Sequence, residues 1–277
     1  WNGPKGWTTS RAGTKRSKRA KAWRKQGFEQ MKLTITGSGD AFGSGGRLNT
    51  CFHVQSGEMG FLIDCGASAL ISLKKAGLST NDVDTVFISH LHGDHFAGLP
   101  FLLIDALFIA KRTKPLTLVG PAQLESRFHI ACEAMFPLIT EHQREFDMTF
   151  TPLSAGETTK VGAVSVTPFE VRHYSGAPSY ALRFALEDQV LAFTGDTGWV
   201  DTVIEAGRDA DLYIMECFQY DNPLEMHLDY LTIARNLDAI GAKQVLLTHM
   251  SDDMLAHRDQ VTDRRCKLAE DGMVLEL

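Results

Sequence analysis

From Met31 onward, short runs of β-forming residues alternate with stretches of helical periodicity. Residues 32–36 read as a strand and are followed by a glycine-rich segment over 37–46. Residues 51–55 and 60–64 flank Ser56-Gly57, the pattern of a hairpin. A helix is predicted over 67–76, a short β-rich run over 84–89, and a buried helix over 99–112, with Pro100 in the first turn where proline is tolerated. A strand over 116–119 and a helix over 122–135 complete the first half. In the second half, strands are predicted near 147–151, 164–171, 180–186 and 190–194. Strand 211–215, helix 228–240, strand 244–248, a helix around 259–269 and a last strand at 273–276 follow. Many strands with interspersed helices predict an α/β fold of two sheets covered by helices.

Charge separates the first thirty residues from the rest. Residues 1–30 hold nine Lys/Arg against one acid, a balance of +8, so residues 31–277 carry −14 of the overall −6. Residues 1–30 show no clear periodicity and are expected to be a basic leader, disordered or appended, ahead of a single domain over 31–277. The rival reading of 1–30 is a basic arm for a polyanion. The acidic body is a poor general partner for nucleic acid, which rewards basic surfaces. No apolar run approaches the roughly 20 residues that span a bilayer, so no membrane partner is expected. The five cysteines are scattered and lack a C-x-x-C pair, which argues against a disulfide framework and a cysteine zinc site. A reducing, cytoplasmic setting follows as the expectation. Residues 99–110 are apolar enough for a core or a homodimer interface, with the core preferred.

The chemistry concentrates in residues 86–98, where a buried strand runs into a tight loop with His90, His92, Asp94 and His95. Residues two apart in an extended segment point the same way, so His90 and His92 can reach one ion. Gly93 lets the chain turn, so that Asp94 and His95 face a neighbouring ion. Imidazole and carboxylate suit Zn, with Mn or Fe also accepted. Four ligands do not complete two sites, so others are sought at the ends of other strands. His173 follows the run 164–171, Asp196 follows 190–194, and His249 follows 245–248. Singly, each has a bland reading as a solvated or turn residue. Together they recur at the C-terminal mouths of strands, where α/β sites form.

The series His90-x-His92-x-Asp94-His95, then His173, Asp196 and His249, resembles the ligand set of the metallo-β-lactamase superfamily. The run 61–66 is similar to that family's first motif, whose aspartate, here Asp64, supports the metal-binding loop. The resemblance covers essentially all of 31–277 and implies a four-layer αββα sandwich with two divalent metal ions. It implies that His90, His92 and His173 hold one ion, that Asp94, His95 and His249 hold the other, and that Asp196 bridges them. Two such cations activate water, and Asp94 would orient the nucleophile or accept its proton.

A bridging aspartate with a final histidine points, within the superfamily, toward phosphodiesterase and glyoxalase-like branches. His227, 22 residues before His249, is similar to a histidine of ribonuclease Z-like phosphodiesterases that contacts the scissile phosphate and protonates the leaving oxygen. The glycine-rich opening also resembles that branch and makes Arg47 and Asn49 candidate substrate-binding residues. Only 23 residues separate His173 from Asp196, which leaves no room for the long arm with which bacterial ribonuclease Z grips tRNA. The expectation is therefore a dimetal phosphodiesterase for a small or cyclic phosphodiester. Alternatives are a dimetal hydrolase of a carboxylic ester, lactone or thioester, a tRNA 3′-end endonuclease, or a module whose metals only hold the fold.

Overall fold

The computed structural model describes residues 31–277; the basic leader expected over 1–30 lies outside the described residues. Strands β1 (Lys32–Gly37), β2 (Cys51–Ser56), β3 (Met59–Ile63), β4 (Thr85–Phe87), β5 (Leu116–Gly120) and β6 (Met148–Pro152) build the first sheet. Strands β7 (Thr159–Val161), β8 (Val164–Glu170), β9 (Tyr180–Leu186), β10 (Gln189–Phe193), β11 (Leu212–Glu216), β12 (Val245–Thr248) and β13 (Cys266–Leu268) build the second. The final strand β14 (Val274–Glu276) crosses back to pair antiparallel with β1, giving the orders β14-β1-β2-β3-β4-β5-β6 and β13-β12-β11-β10-β9-β8-β7.

Period-2 alternation explains the layers. Phe61 and Ile63 of β3 point between the sheets, while Leu62 points to the outer face. In β11, Leu212 and Ile214 point inward while Tyr213 and Met215 point outward. Each sheet is thus apolar on both faces and needs a helical cover. Helices α1 (Ala69–Lys75), α2 (Gly93–Phe96), α3 (Leu99–Phe108) and α4 (Leu124–Met135) belong to the first half of the chain, and α1, α3 and α4 supply apolar side chains to the outer face of its sheet. Helices α5 (Thr202–Gly207), α6 (Tyr230–Ile240) and α7 (Asp252–Ala256) cover the second sheet. The result is the αββα sandwich. Phenylalanines fill the gap between the sheets, with Phe87 and Phe184 at 5.1 Å and Phe52 and Phe193 at 5.4 Å between ring centroids.

Three departures from expectation have a clear physical reason. The helix expected to run to Arg112 stops at Phe108. The chain turns at Lys111 (φ 48°), and the buried Arg112 guanidinium donates to the carbonyls of Thr80, Lys114 and Pro115. The helix expected around 259–269 is absent. A single 3₁₀ turn at Arg258–Gln260 is followed by β13, which pairs parallel to β12. Asp263 accepts from both the backbone and the guanidinium of Arg265, setting a turn rather than a helix. Helix α6 begins at Tyr230 rather than 228, because the Asp229 side chain accepts from Thr232 N–H at 2.9 Å and caps it. Strand β7 and the short helices α5 and α7 carry too few residues to show a period and were not predicted. Among the described residues, no helix is long and apolar enough to cross a membrane.

Candidate metal centre

Strands β3 and β4 run parallel, and so do β10, β11 and β12. Their C-terminal ends deliver Asp64, His90, Asp196, Glu216 and His249, and the segment after β8 delivers His173. Short loops after nearly saturated strands leave these side chains little freedom, which is what a preorganised site requires.

The structure brings all seven expected ligands together. His90, His92 and His173 form one group, and Asp94, His95, Asp196 and His249 form the other, with ligand atoms within 4.8 Å of one another in each. Asp196 spans them. Its Oδ1 lies 3.2 Å from His95 Nε2, and its Oδ2 lies 3.3 Å from His249 Nε2 and 3.9 Å from both His90 Nε2 and His173 Nε2. Asp94 Oδ2 lies 3.3 Å from His95 Nε2 and 3.2 Å from His249 Nε2. His92 Nδ1 and His173 Nε2 approach to 2.9 Å.

The hydrogen bonds behind the ligands decide which nitrogen faces the centre. Fully buried Asp64 accepts from Ser89 N–H at 2.7 Å, Ser89 Oγ–H at 2.8 Å and His95 Nδ1–H at 2.6 Å. With its proton given to Asp64, the Ser89 hydroxyl accepts from His90 Nδ1–H at 3.0 Å. One carboxylate therefore sets the tautomer of a ligand in each group, directly for His95 and through Ser89 for His90. His173 Nδ1–H donates to Met226 O at 3.0 Å. In the neutral form of all three rings Nε2 has its lone pair toward the centre.

The buried Nε2 atoms of His90 and His95 and the Oδ1 of Asp196 have no hydrogen-bond partner. Unpaired buried polar atoms are costly, and an imidazole–carboxylate set converging on two points fits divalent cations. The electrostatics agree. Burial would raise the Asp196 and Asp94 carboxyls, but the surrounding histidines hold both well below the usual range. Burial would lower His95 and His249, yet the facing carboxylates, Asp196 foremost, push His95 well up and His249 to about 9. Burial dominates for the other group, taking His173 down to about 4 and His90 well below the ordinary imidazole value. The Asp94/His95/Asp196/His249 set therefore attracts positive charge, and His90 and His173 offer neutral nitrogen ligands.

His227 stands at the rim, with its ring 5.1 Å from His173 and 5.8 Å from His249 between centroids. Its Nδ1–H donates to Glu216 Oε2 at 3.0 Å. Burial would lower His227, but the hydrogen bond to Glu216 raises it above the ordinary value. Burial, with Asp196 nearby, raises Glu216. Sequence reasoning missed Glu216 and Ser89; the available signal was an acid at yet another strand mouth, and a hydroxyl directly before His90.

Arg47 and Asn49 are engaged elsewhere by their side chains. Arg47 Nη1–H donates to Ala269 O at 3.0 Å, and Asn49 Nδ2–H donates to Asp40 O at 3.0 Å. Both side chains tie down the glycine-rich segment.

Comparison with known proteins places this arrangement. The family model for the Anti-Pycsar protein Apyc1 matches residues 31–275. The probable metallo-hydrolase YhfI of Bacillus subtilis is 27% identical over 89% of this chain and all of that protein. Its crystal structure, a metallo-β-lactamase fold protein, superposes with a TM-score of 0.72 at 22% identity, covering 90% of this chain and all of that one. A Ribonuclease Z of Agathobacter rectalis is 26% identical over 82% of this chain and 92% of that protein. A diphosphatase of the PhnP family shares the fold, with a TM-score of 0.73 at 20% identity over 90% of this chain and 98% of that one. The chain therefore belongs to the Anti-Pycsar protein Apyc1 family, as a ribonuclease Z-like metal-dependent hydrolase of the metallo-β-lactamase fold.

Proposed function

We propose that the chain is a phosphodiesterase of small or cyclic phosphodiesters that works with two divalent ions, zinc foremost. The observation that carries the reading is the Glu216–His227 pair: a buried carboxylate takes the Nδ1 proton of a rim histidine lying beside both ligand groups. That bond turns Nε2 of His227 toward the substrate side and keeps it supplied with a proton, as protonation of a leaving alkoxide requires. His90, His92 and His173 would hold one ion; Asp94, His95 and His249 would hold the other, with Asp196 shared. When bound, such a pair of ions supplies a water of lowered pKa and positive charge for the phosphoryl oxygens.

The rest is done by the chain's own side chains. Asp94, kept ionised by His95 and His249, orients the attacking water and accepts its proton. Asp64, with Ser89, fixes ligand tautomers, so little reorganisation is needed on substrate binding. His227 touches the scissile phosphate and gives its Nε2 proton to the leaving oxygen; Glu216 holds the ring by Nδ1–H and favours its protonated form.

Two features support a compact substrate. Between His173 and Asp196 there is only the β9–β10 hairpin, with no gripping arm. The body over 31–277 is acidic, which disfavours a long polyanion. The Ribonuclease Z relatives favour a second reading, cleavage at the 3′ end of tRNA.

The test is hydrolysis of bis-p-nitrophenyl phosphate by the metal-loaded protein and by His227→Ala, beside precursor tRNA and a panel of carboxylic esters, lactones and thioesters. Turnover of the phosphodiester that collapses in the variant supports the reading. Turnover of carboxylic esters alone, unaffected by the variant, overturns it. Efficient precursor-tRNA cleavage transfers the proposal to RNA.

A further inference from the structure

We propose that Asp271 fixes the backbone of His249, acting through Ser38, and thereby sets the metal affinity of the Asp94/His95/His249 group. The affinity part rests on the metal reading above; the backbone part does not.

Asp271 sits in the turn between β13 and β14, where the chain crosses from the second sheet to the first. One carboxylate oxygen accepts from Ser38 N–H at 2.9 Å and from Ser38 Oγ–H at 2.8 Å. The other accepts from Leu48 N–H at 2.9 Å. The same side chain therefore holds both ends of the segment from Ser38 to Leu48. A further bond, Gly39 N–H to Leu48 O at 2.7 Å, closes that neck. The closure needs glycine: a Cβ on Gly37 would stand 1.9 Å from Asn49 O.

The clamped residue faces the centre with its carbonyl. Ser38 is fully buried, and its C=O accepts from His249 N–H at 3.0 Å and from Thr248 Oγ–H at 3.2 Å. His249 lies one residue past the end of β12, beyond the sheet ladder, and has φ 56°. A non-glycine residue keeps that left-handed conformation only when its surroundings over-determine it. The bond to Ser38 O is the backbone restraint on His249 N–H. Ser38 is in turn held by Asp271. A carboxylate on the last turn of the chain thus reaches a metal ligand through one residue. Arg47 belongs to the same clamp: its guanidinium donates to Ala269 O, and the Asp271 and Glu270 carboxylates lie near it.

The same neck carries Phe42, which is 79% exposed with its ring 6.1 Å from that of Phe218. Phe218 lies 4.8 Å from His227 between ring centroids. The clamp therefore registers the glycine-rich segment against the mouth of the site while it holds His249.

The experiment compares wild type, Asp271→Ala, Asp271→Asn and Asp271→Ala/Ser38→Ala. Two readouts are taken: amide hydrogen exchange at His249 in the metal-free protein, and chelator competition resolving the two bound zinc ions. In Asp271→Ala, His249 N–H exchanges faster, the affinity of one ion falls about tenfold and that of the other is unchanged, at the low end of the range for groups supporting a ligand. Asp271→Asn keeps an oxygen for Ser38 but loses the acceptor for Leu48, and falls between. Adding Ser38→Ala to Asp271→Ala costs little more, because both act through one bond. Unchanged His249 exchange in both single variants overturns the proposal. Equal weakening of both ions, in step with a general loss of thermal stability, also overturns it, since that marks a merely structural residue. If wild type takes up no zinc while His249 is still deprotected in Asp271→Ala, the metal reading fails and the backbone clamp stands.

Discussion

Replacing Glu216 by Gln keeps the shape of the pair with His227 and removes its charge, at the cost of the acceptor that its other oxygen offers Thr197 N–H. Glu216 is fully buried, and its Oε2 accepts a hydrogen bond from His227 Nδ1–H at 3.0 Å. Loss of the carboxylate lets burial prevail and lowers His227 from its raised value, so the ring is less protonated at neutral pH. A positioned general acid contributes about 10²–10⁴ in rate, or roughly 3–5 kcal/mol at 1.36 kcal/mol per tenfold. The benefit depends on the leaving group: an alkoxide of a cyclic nucleotide needs the proton, and p-nitrophenolate hardly does. The expected result is a loss of about 10²–10³ in kcat on a cyclic nucleotide, against less than about tenfold on bis-p-nitrophenyl phosphate. The alkaline limb for the cyclic nucleotide, where His227 loses its proton, should also move to lower pH. Equal losses on the two substrates, with an unshifted profile, would refute the assignment of His227 as proton donor. His227→Ala removes ring and proton together and should depress both substrates, so the pair of variants separates phosphate contact from acid catalysis.

Four further outcomes follow from the same geometry. Ser89→Ala breaks the relay from Asp64 to His90 and should lower zinc affinity by about 10–100-fold in competition titrations, with Ser89→Thr restoring most of it. Zinc uptake should be pH-dependent and release protons. His249, held at about 9, must shed a proton at neutral pH, while His173, at about 4, is already neutral; affinity at the His249 set should rise from pH 6 toward 9, read by calorimetry in buffers of different ionisation enthalpy. In the metal-free protein, the raised His249 stabilises the fold below its unfolded value near 6.5, and that contribution disappears as pH rises through about 9. Phe184→Ala empties the inter-sheet cluster with Phe61 and Phe87 and should cost about 3–5 kcal/mol in denaturant unfolding, with metal stoichiometry unchanged.

The convergence of the seven candidate ligands was legible because four share the loop after one apolar run and the other three each follow a predicted strand, so strand prediction also placed the mouths of the strands. His227 was legible only through its resemblance to a phosphodiesterase branch; its physical partner, Glu216, was not. The strand carrying Glu216 is central in its sheet and its acid is fully buried, and sequence pattern does not distinguish a buried acid with a histidine partner from a solvated one. Arg47 carries a contact with no local signature: its guanidinium reaches Ala269, 222 residues away. The expected helix around 259–269 has the same origin: its periodicity is outweighed by pairing of β13 with β12 and by the Asp263–Arg265 turn.

Metal counting by mass spectrometry under native conditions, for wild type, His173→Ala and His249→Ala, tests the two-ion centre most directly, with phosphodiester hydrolysis followed on the same samples. Two divalent ions per chain in wild type, one in each variant, and activity lost in both are the predicted result. A wild type that holds one ion or none, or variants that keep two ions and full activity, would contradict it.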